Sequence, residues 1–170
     1  HTRYPLVTGV QTCALPILKT CNDIEYSGVD PYLANYDAND NLFENDLKKI
    51  TGQQNSQKSF DILYDVVRQN LNEINPSSTL YRETSDDFFL KNRDVYDFFF
   101  LDGNHIFEFV YRDLQNAYNY CKTGGVVAGD DYYKSGVHQA VNLFSTQHSI
   151  KLNFISNKIN GYPIYFFYKA

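Results

Sequence analysis

The 170 residues, 43% of them hydrophobic, are enough for one domain with a sizeable core. A formal net charge of -5, with no Lys/Arg cluster, argues against a nucleic-acid partner. The longest apolar runs, such as residues 98–101, fall far short of the roughly 20 residues that cross a bilayer, so no helical membrane span is expected. Cys13, Cys21 and Cys121 have neither metal-ligand spacing nor the even count of a disulfide framework, and a reducing cytoplasm is the compartment they suit.

In chain order, residues 7–17 (VTGVQTCALPI) match codon for codon the translation of a common sequencing adapter. Residues 1–17 are therefore read as a non-native segment and residues 18–170 as the domain. Ile24–Val29 is predicted as a short strand. It stops at Asp30-Pro31, because proline lacks the N–H a ladder needs and pushes its predecessor towards extended geometry. Residues 32–41, rich in Asn and Asp, read as loop, residues 43–50 as a short helix ending before Gly52, and residues 53–58 as a polar connection. Phe60, Leu63, Val67 and Leu71 recur at helical spacing, with Asp61 in the first turn, where the positive end of the helix dipole favours an acid. Pro76-Ser77 breaks that helix. Residues 79–82 are predicted as a strand, and Ser85 as the cap of a short helix containing Phe88, Phe89 and Leu90.

Residues 95–101 form an apolar run broken only by Asp97, the mark of a largely buried strand, and the run stops at the turn dipeptide Asp102-Gly103. From Ile106 the spacing becomes helical, with Val110, Leu114, Ala117 and Cys121 on one stripe and Phe107, Tyr111 and Tyr118 beside it. Gly124-Gly125 is expected to end that helix, residues 126–128 to re-enter the sheet, and Asp130-Asp131 to close the second strand. Three carboxylates then share the carboxyl edge of adjacent strands, where open α/β sheets bind ligands. Residues 136–144 are predicted helical, and residues 151–156 and 162–168 as strands around the hairpin signal Asn160-Gly161. The fold class is α/β: a Rossmann-like, mostly parallel sheet flanked by helices, with a C-terminal antiparallel hairpin.

YDFFFLDGNH, Asp113, Gly124-Gly125, GDDY and Gly136-Val137, with GVDPY upstream, together resemble the class I S-adenosylmethionine-dependent methyltransferases. Within these the pattern is similar to small O-methyltransferases related to sugar-, macrolide- and catechol-modifying enzymes. The resemblance covers about residues 26–170 and implies sheet order 3-2-1-4-5-7-6 with strand 7 antiparallel. The family's glycine-rich loop after strand 1 has no match. With residues 1–17 set aside, the first strand and that loop are expected to be missing. Loss of a central strand removes several buried side chains, each contributing about 1.5–3 kcal/mol against a total stability of roughly 5–15 kcal/mol. This polypeptide is on that ground expected to be unstable or inactive.

The resemblance implies S-adenosylmethionine as cofactor, a sugar or other small-molecule hydroxyl as methyl acceptor, and a homo-oligomer as the one protein partner to consider. It assigns Asp30 to the ribose hydroxyls, which a carboxylate accepts well, Ser85 and Asp86 to the adenine edge, and Asp102 to the cofactor. It also implies a divalent cation such as Mg²⁺ on Asp102, Asp130 and Asp131, Asp131 replacing the Asn of catechol- and caffeoyl-type enzymes. Such a metal would chelate substrate oxygens and ease loss of the hydroxyl proton. His105 and Asp102 are the candidate catalytic residues. His105 stands where catechol-type enzymes carry a lysine base, and a histidine with a pKa of about 6.5 takes a proton near neutrality.

A plainer role stands beside each assignment. Asp30 is otherwise a turn residue before proline, Ser85 a helix N-cap, Asp102-Gly103 turn chemistry, Asp130 or Asp131 a cap, and His105 a surface or supporting residue. Tyr132 and Tyr133 either face substrate or pack the sheet. Two other functions remain open. One is a metal-dependent glycosyltransferase whose acidic pair holds a nucleotide-sugar diphosphate, and the other a non-catalytic Rossmann-like fragment.

Overall fold

The computed structural model describes residues 2–7, 18, 20, 23–36, 41–156 and 163–170, with the chain trace alone described at 2–7, 41–42 and 156. In chain order the elements are β1 (Thr2–Val7), β2 (Ile24–Val29), α1 (Asn41–Thr51), α2 (Ser56–Ile74), β3 (Thr79–Tyr81), α3 (Ser85–Lys91), β4 (Tyr96–Leu101), α4 (Phe107–Tyr120), β5 (Cys121–Gly129), α5 (Ser135–Gln147), β6 (Asn153–Ser156) and β7 (Pro163–Tyr168). The strands form one sheet in the order β3-β2-β1-β4-β5-β7-β6, the order the family resemblance implies. β3, β2, β1, β4 and β5 are mutually parallel, and β7 runs antiparallel to β5 and to β6.

The first strand is not missing. Thr2–Val7 fills the central position, pairing from Thr2↔Ile24 to Val7↔Val29 on one side and through Leu6↔Phe100 and Val7↔Leu101 on the other. Without it, the facing edges of β2 and β4 would leave their N–H and C=O groups unpaired in the middle of the sheet. With Thr2–Val7 paired on both sides, the loss of buried side chains expected from a vacant central position does not arise. The glycine-rich loop would fall at residues 8–17, outside the described residues.

Period-2 alternation divides the core between the two faces of the sheet. Val29, Phe99, Leu101, Val127, Tyr165 and Phe167 face α3, α4 and α5, where they meet Phe88, Phe89, Val110, Leu114, Ala117, Val137, Ala140, Val141 and Phe144. Tyr26, Phe100 and Ala128 face the other way onto Val67 and Leu71 of α2, with Leu18. Phe99 and Leu114 are completely buried, and each contributes about 2–3 kcal/mol on the scale for large apolar side chains. Both clusters end at the same carboxyl edge, which holds the loops after β2, β4 and β5.

Several boundaries differ from the sequence reading by a few residues, and three of them change what a residue does. α2 begins at Ser56, capped by Asn55 accepting from Lys58 N, so Asp61 lies in the second turn and pairs with Arg82. The cap of α3 is Thr84, whose hydroxyl accepts from Asp87 N at 3.1 Å, and Ser85 is already helical. α4 ends at Tyr120 with Cys121 as its C-cap, ahead of Gly124-Gly125. Those glycines instead lie in an irregular start to β5, where pairing jumps from Tyr96↔Cys121 to Phe98↔Val126 and Gly124 takes φ 78°. The proposed Asn160-Gly161 turn lies outside the described residues, but β6 and β7 pair antiparallel up to Ser156↔Pro163.

Candidate functional site

Asp102 follows Leu101, the last residue of β4, and Asp130 follows Gly129, the last of β5. The two strand ends are tied by Asp130 N donating to Leu101 O at 3.2 Å. Asp102, His105, Asp130 and Asp131 line one cavity together with Gly103, Asn104, Asp113 and Tyr165, and no lysine or arginine belongs to this lining. Burial first, and then the charges of Asp130 and Asp131, push the Asp102 carboxyl up to about 7. Asp30 also contributes to that rise, which places the end of β2 within electrostatic reach of the end of β4.

A short contact in the cavity joins two loops. His105 Nε2 lies 2.6 Å from Asp131 Oδ2, and each side chain is 24% exposed. Asp131 has φ 54°, a left-handed conformation that a non-glycine residue adopts at some cost and that recurs at functional sites. Its N–H donates to Asp130 Oδ1 at 2.7 Å, and its carbonyl accepts from Lys134 N at 2.8 Å. The hydrogen bond with His105 is the main reason the Asp131 carboxyl is held below the usual carboxylate range. On the facing loop, Asn104 Oδ1 accepts from Ile106 N at 2.8 Å and turns the chain into α4.

Two glycines make this closeness possible. A Cβ on Gly136 would lie 2.2 Å from His105 O, so the first turn of α5 packs directly under the His105 loop. A Cβ on Gly129 would lie 2.7 Å from Leu101 O, against the end of β4. Nearby, the Tyr132 ring packs on Phe154 and His138 at centroid distances of 4.8 and 4.9 Å, and its hydroxyl bonds Asn142. Tyr132 therefore packs the sheet, while Tyr133 is exposed and hydrogen-bonds Asp131.

The remaining sequence candidates lie beside the cavity. Asp30 Oδ1 accepts from Tyr32 N at 2.7 Å, and burial pushes the Asp30 carboxyl up to about 6. Ser85 hydrogen-bonds Asp113. Since Asp113 lines the cavity, it links α3 to the acidic edge, and burial pushes its carboxyl up to about 6. Asp86 is not in the cavity lining and pairs at 2.9 Å with Arg112 in an exposed ion pair. Asp113 enters the sequence reading only as part of the family pattern, with no site role, although a signal for one exists. It sits at i+3 from Val110, beside Leu114 and Ala117, as a carboxylate inside an apolar stripe.

Among the described residues, no group of three His, Cys, Asp or Glu side chains is close enough to hold a metal ion. Asp131 is turned to His105, and one Asp130 oxygen to a backbone N–H. As arranged, this donor set does not fit a divalent cation. Nor is any helix among the described residues long and apolar enough to cross a membrane.

A mostly parallel sheet in this order, with β7 antiparallel, is the Rossmann-like methyltransferase architecture. A family model for the Methyltransferase domain matches residues 8–132, most of the chain. The chain belongs to that family and is a class I S-adenosylmethionine-dependent methyltransferase. The glycosyltransferase alternative is not favoured. The O-methyltransferase TomG of Streptomyces achromogenes, involved in tomaymycin synthesis and solved in complex with SAM, is similar in structure with TM-score 0.67 at 11% identity, over 99% of this chain and 73% of that one. Cofactor-bound Rv0187 from MTB gives TM-score 0.69 at 10% identity, over 98% and 72%. An rRNA methylase of Streptococcus thermophilus gives TM-score 0.62 at 12% identity, over 100% and 87%. At these identities the likeness shows the fold alone. No curated protein matches the chain in sequence.

Proposed function

We propose that this methyltransferase acts on a hydroxyl of a small molecule, a sugar or a comparable natural product, with His105 as the general base. The observation that carries the reading is the 2.6 Å contact between His105 and Asp131 inside an acidic cavity at the carboxyl edge. As a neutral imidazole held against Asp131, His105 takes the hydroxyl proton of the acceptor. Asp131 fixes the ring and stabilises the imidazolium that forms. S-adenosylmethionine supplies an electrophilic methyl group on a sulfonium with a good leaving group, so the protein's contribution is chiefly positioning and removal of one proton.

Charge supports this cofactor. A cationic sulfonium suits an edge where Asp102, Asp113, Asp130 and Asp131 line one cavity with no lysine or arginine among them. In this reading Asp30 accepts from the ribose hydroxyls, Ser85 with Asp86 meets the adenine edge, and Asp102 faces the sulfonium end. The cytoplasm is our reading of the working compartment, on the free, buried thiol of Cys121, which a reducing environment preserves.

Divalent-metal assistance has one observation in its favour. Asp102, Asp130 and Asp131 share a cavity without a balancing lysine or arginine. It requires Asp131 to leave His105. Transfer of labelled methyl from S-adenosylmethionine to a panel of hydroxyl-bearing acceptors, with and without Mg²⁺, tests both forms. Transfer that needs His105 and ignores Mg²⁺ supports the base, strict dependence on Mg²⁺ supports the metal, and transfer only to nitrogen or carbon acceptors removes the hydroxyl reading.

A further inference from the structure

The loop that carries Asp30 is held in shape from outside. Two of its non-glycine residues, Tyr32 (φ 49°) and Asn35 (φ 59°), take left-handed conformations, which persist only where surrounding structure over-determines them. Tyr32 matters most, because its backbone N–H donates to Asp30 Oδ1 at 2.7 Å and orients it. The carbonyl of the same residue is held by a side chain from α2, where Gln57 Nε2 donates to Tyr32 O at 2.9 Å. Gln57 Oε1 accepts from Ala34 N at 3.1 Å, so one amide meets a donor and an acceptor of the loop as a neighbouring strand would.

The clamp is itself braced. Gln57 Nε2 also reaches Asp61 Oδ1 at 3.1 Å, and Asp61 binds Arg82. The Arg82 guanidinium touches Tyr32 O at 3.3 Å and lies 5.1 Å over the Tyr64 ring. That ring meets Tyr32 edge-on at 5.2 Å, and Tyr32 is 2% exposed. On the outer side, Asn35 N donates to Glu44 Oε1 of α1 at 2.9 Å.

We infer that Gln57 is a positioning residue for the cofactor: by clamping the Tyr32 and Ala34 peptides it aims the Asp30 carboxylate at the ribose hydroxyls. The inference rests on the assignment of Asp30 to the ribose in the proposed function. Its side chain is engaged with the Tyr32 and Ala34 backbone and with Asp61, so in this reading its effect passes through Asp30 and is confined to the two ribose hydroxyls.

The test is isothermal titration of the full chain with S-adenosylhomocysteine and with its 2′,3′-dideoxyribose analogue, for wild type, Gln57→Ala and Gln57→Glu. Gln57→Ala is expected to weaken S-adenosylhomocysteine about ten-fold, the scale of one compromised hydrogen bond to a charged group, and to change the dideoxy analogue by less than about two-fold. Gln57→Glu keeps the acceptor for Ala34 N–H and loses the donor to Tyr32 O, and is expected to show the same ligand-selective loss. Equal weakening for both ligands, or none for either, overturns the positioning role while leaving the cofactor reading intact. No binding of S-adenosylhomocysteine by folded wild-type protein overturns the cofactor reading, and this inference with it.

Discussion

His105 and Asp131 come from loops 26 residues apart and meet at 2.6 Å, bridging the ends of β4 and β5 across the cavity. A base held this way loses function when either partner goes. His105→Ala is expected to lower kcat by about 10²- to 10⁴-fold, the usual range for a general base, with cofactor affinity little changed. Asp131→Ala should lower kcat less, because the imidazole survives but loses its orientation. Single-turnover transfer of labelled methyl measures both, and full activity in His105→Ala would remove the base assignment.

The same loop rests on Gly136, where a Cβ would come within 2.2 Å of the His105 carbonyl and 3.0 Å of Phe107 N. Both contacts are backbone, so relief requires the loop itself to move. Gly136→Ala should cost about 1–3 kcal/mol, as overpacking does, and should reduce kcat more than cofactor affinity. A variant with wild-type melting and turnover would show that the loop has room.

Asp113 gives a pH signature. Its folded carboxyl sits at about 6 against an ordinary 3.8, so between those values the folded state binds more protons than the unfolded one. Stability is therefore lost as pH rises from 3.8 to 6, and the penalty is complete above the folded value. Asp113→Asn keeps an oxygen that can accept from Ser85 and removes the charge. It should be more stable than wild type by up to about 3 kcal/mol at pH 8, falling to about half that at pH 5. Paired urea titrations at the two pH values measure this. A pH-independent difference would mean the carboxyl titrates normally.

Adjacent hydroxyls on α3 separate a structural role from a binding one. Thr84 is the N-cap, and Thr84→Ala should cost about 1 kcal/mol, a Tm loss of roughly 2–4 °C, without changing cofactor affinity. Ser85 is bonded to Asp113 and assigned to the adenine edge, so Ser85→Ala should weaken S-adenosylhomocysteine binding. Identical behaviour of the two variants in titration and melting would argue against that assignment.

Much of this arrangement is legible in the residues. The order of strands and helices follows from hydrophobic period, and the acids at the ends of β2, β4 and β5 follow from where apolar runs stop. Other features depend on tertiary structure. Thr84 and Ser85 are consecutive hydroxyls, and only the backbone angles decide which one caps. Gly124-Gly125 reads as a helix stop, yet positive φ at Gly124 serves an irregular strand pairing instead. Thr2–Val7 has enough β-forming character for a strand, but the adapter-like run that begins at Val7 outweighs it in a reading confined to the sequence. Asp131 reads as one of a trio of carboxylates. Its pairing with His105 emerges only when Gly136 lets two distant loops close together.

The central claim is that the acids at the ends of β2 and β4 form one S-adenosylmethionine site, with Asp30 on the ribose. Isothermal titration of S-adenosylmethionine into wild type and Asp30→Ala tests it most directly. One-to-one binding by the wild type, weakened by at least about ten-fold in the variant, is the predicted result, as for loss of a charge-assisted hydrogen bond. Wild-type protein that is folded and binds nothing, or binding that is the same in both proteins, would contradict it.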